Sequence, residues 1–283
     1  MNKLVLSKTG DIANFIEWLE RFKGDISKDS LIIEIDTDMQ KLISKTFSDD
    51  KGLVRYSEIS FKDAGFEITK KADDLKNRIL LGIFLILPKF IYVVKSFETA
   101  EQFTMTIEYD MMQVAGANQW CATAVTFKSK SLKMKIPGSS VNALEMTPLS
   151  DDVFNTKVWN APDPIKITVS PETLKNMVSF SDIFAKTNKM TNYMEFYTKS
   201  EDGVKNMYVR DPDQDSYDYN LGPIEDQTIQ NDIIIPIYRE RFLLTVNKAF
   251  DETTIIISST NANRVLIELK GGNTKTIIAK VNR

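Results

Sequence analysis

A repeated order of predicted elements constrains the fold of this 283-residue chain more than any other sequence feature. One run extends from Ser7 to Ile35 and a second from Ser170 to Thr198, and each opens on a serine, a residue type that caps helix starts. In both runs a strand-like segment begins 24 residues after the serine, at Leu31 and at Met194. Between serine and strand, apolar residues recur at helical spacing: Ile12, Phe15, Leu19 and Phe22 in the first run, and Leu174, Met177, Val178 and Phe184 or Ala185 in the second.

A second correspondence follows later in each half. The segments Leu85–Pro88 and Ile233–Pro236 are each β-rich, end in proline and lead into a short predicted helix. Three strand-like runs follow each helix: 103–109, 121–128 and 131–136 in the first half, and 254–259, 265–270 and 274–281 in the second. Each half is therefore predicted to contain a strand, a helix, several strands, a second helix and three strands.

The two halves are separated by a connector. Residues 137–164 contain four prolines and several small polar residues, which is typical of a linking segment. The sequence predicts an α+β protein with two tandem domains, each built from antiparallel sheets and two short helices. Their predicted bounds are residues 1–137 and 165–283, with a connector over residues 138–164.

Composition narrows the class of protein. Apolar residues make up 42% of the chain and charged residues 27%, the balance of a soluble globular protein. A single cysteine, Cys121, excludes an internal disulfide and fits a reducing compartment. The N-terminus carries no signal-peptide pattern, and the most apolar stretch, 79–94, is short and interrupted by Pro88. We expect an intracellular protein without a membrane partner.

Residues for catalysis are scarce. The chain has no histidine and no phosphate-binding glycine loop, which removes the common nucleophile pairs and the commonest zinc ligand. Asp36 and Asp38 could hold a metal, although a turn is expected there. Residues 211–222 begin like a calcium loop but have Ser216 at the sixth position and Gly222 at the twelfth. The prediction is a non-enzyme without cofactor or metal, and a metal-dependent enzyme remains an alternative.

Two strand-rich domains, each with two short helices and joined by one long connector, resemble the DNA sliding-clamp family. The layout is similar to the proliferating-cell nuclear antigen and to T4-type phage clamps, and the resemblance covers nearly the whole chain. This sequence is longer than a typical two-domain clamp, and the excess falls in residues 36–78 and in the connector. The resemblance implies a homotrimeric ring with helices around duplex DNA. It also implies DNA polymerase as a partner, an ATP-dependent clamp loader, and a role as a viral or cellular processivity factor.

Cations on the predicted helices are the candidate DNA contacts. Lysine and arginine spread along an inner wall would attract phosphates at any base sequence. Solvated faces of amphipathic helices are an equally good explanation for any one of them. The candidates are Arg21, Lys89, Lys95, Lys175, Lys186, Arg239, Arg241 and Lys248.

Charge patterning suggests where subunits would meet. Residues 128–135 hold four lysines and no acid, whereas residues 201–226 hold eight acids against Lys205 and Arg210. In the family, the last strand of the first domain pairs with an edge strand of a neighbouring subunit's second domain. We expect Lys133 and Lys135 to face Asp215 and Asp218 there, with Leu132, Met134, Tyr217 and Tyr219 packing. Two unrelated solvated charge runs would explain the same pattern.

A partner-binding pocket is also expected beneath the connector. Leu144 and Met146 of the connector, with Ile278 and Val281 of the last strand, are the candidates, unless they only pin the connector to its own sheet. Two other functions fit the chain. One is a viral processivity factor of the same fold that binds DNA without forming a ring. The other is a β-rich viral structural or assembly protein.

Overall fold

The computed structural model describes residues 2–22, 31–47, 53–72, 75, 78–83, 87–114, 116–138, 164–187, 192–212, 218–229, 232–246, 252–258, 266–271 and 274–279. The chain divides into two compact units. Unit 1 comprises Met1–Asp49 and Tyr56–Leu149, and unit 2 comprises Asp50–Arg55 and Ser150–Arg283. A short segment from the first half of the sequence therefore belongs to unit 2. Most of the predicted connector, residues 139–163, lies outside the described residues.

In its described residues, unit 1 contains two helices and nine strands. The helices are α1 (Ala13–Glu20) and α2 (Leu87–Lys95). The strands are β1 (Asn2–Lys8), β2 (Leu31–Asp36), β3 (Lys41–Phe47), β4 (Leu53–Ser60, whose first residues through Arg55 belong to unit 2), β5 (Phe66–Lys70), β6 (Arg78–Ile83), β7 (Phe103–Val114), β8 (Ala117–Ser129) and β9 (Lys133–Pro137).

The strands of unit 1 form two runs of neighbours. One run has the order β4-β3-β2-β6, and the other has the order β5-β1-β7-β8-β9. Antiparallel pairing dominates, and β8 also contacts β6 in parallel at Trp120 and Cys121. Strand β9 pairs with β8 over Ala124–Lys128, so β9 is an edge strand within the described part of unit 1.

The described residues of unit 2 repeat this arrangement with one strand fewer. Its helices are α3 (Pro171–Thr187) and α4 (Arg239–Val246). One sheet has the order β13-β12-β11-β14 and the other contains the run β10-β15-β16-β17, all antiparallel. The strands are β10 (Pro164–Val169), β11 (Tyr193–Glu201), β12 (Val204–Arg210), β13 (Asp218–Pro223), β14 (Ile234–Tyr238), β15 (Thr253–Ser258), β16 (Leu266–Gly271) and β17 (Thr274–Ala279).

The predicted repeat is confirmed by strand order as well as by element order. The run β4-β3-β2-β6 corresponds to β13-β12-β11-β14, and β1-β7-β8-β9 corresponds to β10-β15-β16-β17. Strand β5, which pairs with β1, has no counterpart among the described strands of unit 2. It lies in residues 36–78, where the sequence predicted extra length.

The two serines that open the repeat differ in structure. The Ser170 hydroxyl accepts a hydrogen bond from the Thr173 amide at 3.1 Å, and so caps α3 as predicted. Ser7 instead belongs to β1, where its hydroxyl bonds to that of Thr69 at 2.8 Å. Helix α1 begins later, at Ala13, whose amide donates to the Asp11 carboxylate. The prediction that Ser7 caps a helix was wrong, because β1 continues through that residue.

Each unit buries one face of its two helices against its sheets. The predicted stripe Ile12, Phe15, Leu19 and Phe22 is buried in unit 1, and α2 adds Phe90 and Val94. Stacked rings fill the centre of this core, with centroids 4.9 Å apart for Phe97 and Phe103 and 6.0 Å apart for Phe103 and Phe127. In unit 2, Leu174, Met177 and Val178 pack with Phe242. Because the apolar faces are used for packing, the opposite helix faces remain available to a ligand.

Candidate DNA-facing helices and edge strands

Helices α1 and α2 contact each other, and their solvent-facing sides carry mixed charge. Lys89 is exposed, and the structure gives it no ion pair within the described residues. The Lys95 ammonium donates to the Glu20 carboxylate at 2.8 Å, and this hydrogen bond raises the pKa of Lys95. Arg21 is only half-buried, so less of its side chain is accessible than the sequence implied. Of the cations predicted in unit 1, Lys89 is the one most accessible to a phosphate.

Helices α3 and α4 also contact each other. Lys175 is exposed on α3, whereas Lys186 lies on the same helix with a side chain outside the described part of the structure. Arg239 and Arg241 are half-buried, and the Arg241 guanidinium lies 4.5 Å from the centroid of the Tyr238 ring. Lys248 lies outside the described residues. Of the candidates in unit 2 whose side chains are described, Lys175 is therefore the exposed one.

Sequence reasoning missed one exposed residue on α2. Tyr92 is 70% exposed, the largest exposure among the large hydrophobic side chains of the described residues. It lies three residues after Lys89 and three before Lys95, so all three share one helical stripe. The sequence pattern that could have identified Tyr92 is an aromatic residue placed between two lysines at helical spacing.

Strand β9 presents an alternating edge. Lys133 and Lys135 are exposed, Met134 is half-buried against the core of unit 1, and Ile136 is buried. The Lys135 ammonium donates to Glu108 at 2.8 Å, and this hydrogen bond lowers the pKa of Glu108. Lys133 has no ion pair among the described residues. The two lysines predicted to act together therefore have different surroundings.

Strand β13 is the matching edge in unit 2. It pairs with β12 and ends the sheet, within the described residues. Asp218 and Asn220 are exposed, Leu221 is buried, and half-buried Tyr219 packs against the core of unit 2. Asp215 and Tyr217, also predicted for the interface, lie outside the described residues, and exposed Leu132 lies in the turn before β9.

Asp218 belongs to a polar network on this sheet. The Tyr197 hydroxyl donates to both oxygens of Asp218, and burial together with this bond raises the pKa of Tyr197. The neighbouring Tyr208 hydroxyl donates to Glu201 at 2.6 Å. Burial, reinforced by that bond, raises the pKa of Tyr208 to about 12. These bonds fix the Asp218 carboxylate at the edge of the sheet.

The predicted partner pocket is mostly outside the described residues. Leu144, Met146 and Val281 fall there. Ile278 is fully buried in the core of unit 2 with Ile255 and Ile257. It packs its own sheet because its side chain points into the core, so it does not line an open surface as the pocket hypothesis required.

The acidic turn at Asp36 and Asp38 has structural partners, whereas residues 213–217 of the loop that resembles a calcium site lie outside the described residues. The Asp36 carboxylate accepts bonds from the amides of Asp38 and Met39 and from Arg78, as expected for a turn. Across the described ranges, no group of three or more metal-ligating side chains comes together. Cys121 is buried, and burial raises the pKa of its thiol to about 11, which favours packing over nucleophilic chemistry. No helix in the described part is both long and apolar enough to cross a bilayer.

Solved structures similar to this chain share one fold. The PCNA of Thermococcus kodakaraensis superposes with a TM-score of 0.63 at 12% identity, over 99% of this chain and all of that one. The A. fulgidus PCNA, bound to the C-terminal region of FEN-1, gives a TM-score of 0.61 at 10% identity over 100% of this chain and 99% of that one. This chain has the DNA sliding-clamp fold.

Bacterial beta clamps share the clamp fold too. The H. pylori beta clamp bound to a DNA ligase peptide gives a TM-score of 0.60 at 8% identity, over 98% of this chain and 65% of that one. No protein-family model and no curated protein sequence matches the chain. The likeness is therefore one of fold rather than of residues.

Proposed function

We propose that this chain is a DNA polymerase processivity factor that encircles duplex DNA as a homotrimeric ring. The observation that carries the proposal is the clamp fold, matched over 98–100% of the chain in solved PCNA and beta-clamp structures. The two clamp domains would comprise residues 1–137 and 165–283, joined by a connector over residues 138–164. DNA polymerase and an ATP-dependent clamp loader are the expected partners.

The internal repeat supports a head-to-tail assembly. Strand β13 occupies in unit 2 the place that β4 occupies in unit 1, and β9 occupies the place of β17. In our proposal, the edge strands β9 and β13 of successive copies pair with each other, and three copies close the ring.

The side chains on these two edges are compatible with such pairing. Exposed Lys133 would lie on the same face as exposed Asp218, while Met134 and Tyr219 would lie on the core-facing side. The sequence predicted that Lys133 and Lys135 both face acids of the neighbouring copy. Because Lys135 is already bonded to Glu108, we assign the ion pair between copies to Lys133.

Contact with DNA would be weak and independent of base sequence. Among the predicted helix cations whose side chains are described, Lys89 and Lys175 are exposed and form no ion pair with another described residue, and Tyr92 lies on the same stripe as Lys89. A ring that retains DNA by topology does not need tight binding, so this modest positive charge is sufficient.

Retention on closed DNA is the experiment that tests the ring. Protein loaded onto nicked circular DNA should stay bound through gel filtration at high salt, and a single restriction cut should release it. Light scattering should give a mass of about three chains. Stable retention on linear DNA with open ends would contradict the ring and favour a factor that holds DNA directly.

A further inference from the structure

A basic cluster lies at the turn between β8 and β9 of unit 1, on residues that belong to strands and a turn rather than to a helix. Lys128 ends the part of β8 that pairs with β9, Lys133 begins β9, and Lys130 lies in the turn between them. All three side chains are exposed. The turn is closed by the Ser129 amide, which donates to the Leu132 carbonyl at 2.8 Å, and by the Leu132 amide, which donates to the Ser129 hydroxyl at 3.2 Å. Hydrogen bonds therefore order the backbone of the turn that carries the three lysines.

Among the described residues, these three lysines form no ion pair with a carboxylate, whereas several other lysines of unit 1 do. Lys128 and Lys133 are direct cross-strand partners, an arrangement in which like charges repel. On the other side of Lys128 the row continues through Thr104 on β7 and Ser7 on β1 to Glu67 on β5, so two neutral residues separate Lys128 from the acid at the end of this row. In the part of the chain that the structure describes, no carboxylate forms an ion pair with any of the three. Lys41, Lys45, Lys71 and Lys95, by contrast, each pair with an acid.

The described residues of strand β13 in a neighbouring copy can offset only part of this charge. On the described edge strand β13 the exposed acid is Asp218, and its carboxylate already accepts bonds from Tyr197. If Asp218 pairs with Lys133, the described residues of β13 hold no second acid for Lys128 and Lys130. A polyanion with evenly spaced charges fits two or three lysines around a turn better than one carboxylate does.

We propose that the β8–β9 turn, through Lys128 and Lys130 with Lys133 beside them, binds the phosphate backbone of DNA as a contact separate from the helices. The identity of the anion rests on the proposed function. The contact itself does not require a closed ring, because exposed lysines bind a linear duplex equally well.

The test is the salt dependence of binding to a short linear duplex, measured by fluorescence anisotropy with the full-length chain. Neutralising Lys128→Gln and Lys130→Gln together should reduce the slope of log K against log salt concentration by about 1.8, or about 0.9 per lost phosphate contact. The matched control is Lys62→Gln with Lys70→Gln, two exposed lysines of unit 1 that should leave the slope unchanged.

Every outcome decides the proposal. An unchanged slope in the Lys128/Lys130 variant overturns it, as does the absence of any wild-type affinity for linear duplex at low salt. A normal slope with a reduced solution mass would assign the turn to contact between copies instead. Retention on closed circles is measured separately, so a failure of the ring and a failure of this contact are distinguishable.

Discussion

At the scale of single residues, the ionisation of Tyr208 makes the free energy of unfolding depend on pH. Burial and its bond to Glu201 raise the pKa of Tyr208 to about 12, above the usual value of about 10. A group whose pKa is raised by folding stabilises the fold fully below its unfolded pKa, and this contribution is lost as pH rises through the folded pKa. The free energy of unfolding should therefore fall from about pH 10 to about pH 12.

Tyr208→Phe should reduce this loss of unfolding free energy, which is measured by urea unfolding at several pH values across the same range. Tyr197 will still contribute, because its pKa is also raised. Tyr92→Phe makes the same chemical change at a residue that is 70% exposed and should keep the wild-type slope. Equal pH slopes for Tyr208→Phe and wild type would count against the role of this bond.

At the scale of elements, the two repeat-opening serines provide a matched comparison. Ser170→Ala removes the cap of α3 and should destabilise the chain by about 1 kcal/mol. Ser7→Ala removes an exposed hydroxyl contact within β1 and should change stability by less than about 0.5 kcal/mol. Chemical denaturation of both variants is sufficient, and equal losses would contradict the structural difference between them.

The edge strands β9 and β13 give a second prediction at this scale. Lys133→Glu should place two acids opposite each other at the proposed interface between β9 of one copy and β13 of the next. Because these like charges repel, the solution mass measured by light scattering should fall. Adding Asp218→Lys should restore it by reversing the pair. Lys62→Glu, an exposed lysine outside this interface, is the control. A trimer that persists in Lys133→Glu would remove the charge pair from the assembly hypothesis.

At the scale of the whole molecule, chain order and compact units do not coincide. Residues 50–55 belong to unit 2, where buried Arg55 donates to Thr276 at 3.2 Å and to Thr245 of α4 at 3.1 Å. Arg55→Ala should remove these bonds and leave a cavity, at a cost of about 2–4 kcal/mol in urea unfolding. Lys62→Ala, at an exposed position, should cost less than about 0.5 kcal/mol. A loss of stability that small for Arg55→Ala would mean that this segment contributes little to the stability of unit 2.

The sequence by itself determined the order of elements and the buried stripes of α1 and α3, because helical and strand periodicities are local properties. It also located the extra length that contains β5. Tertiary structure decided that Ser7 lies in a strand, that Ile278 packs a core, that Lys135 bonds to Glu108 whereas Lys133 does not, and that residues 50–55 belong to unit 2. Each of these depends on pairing between strands far apart in the chain, which no local pattern specifies.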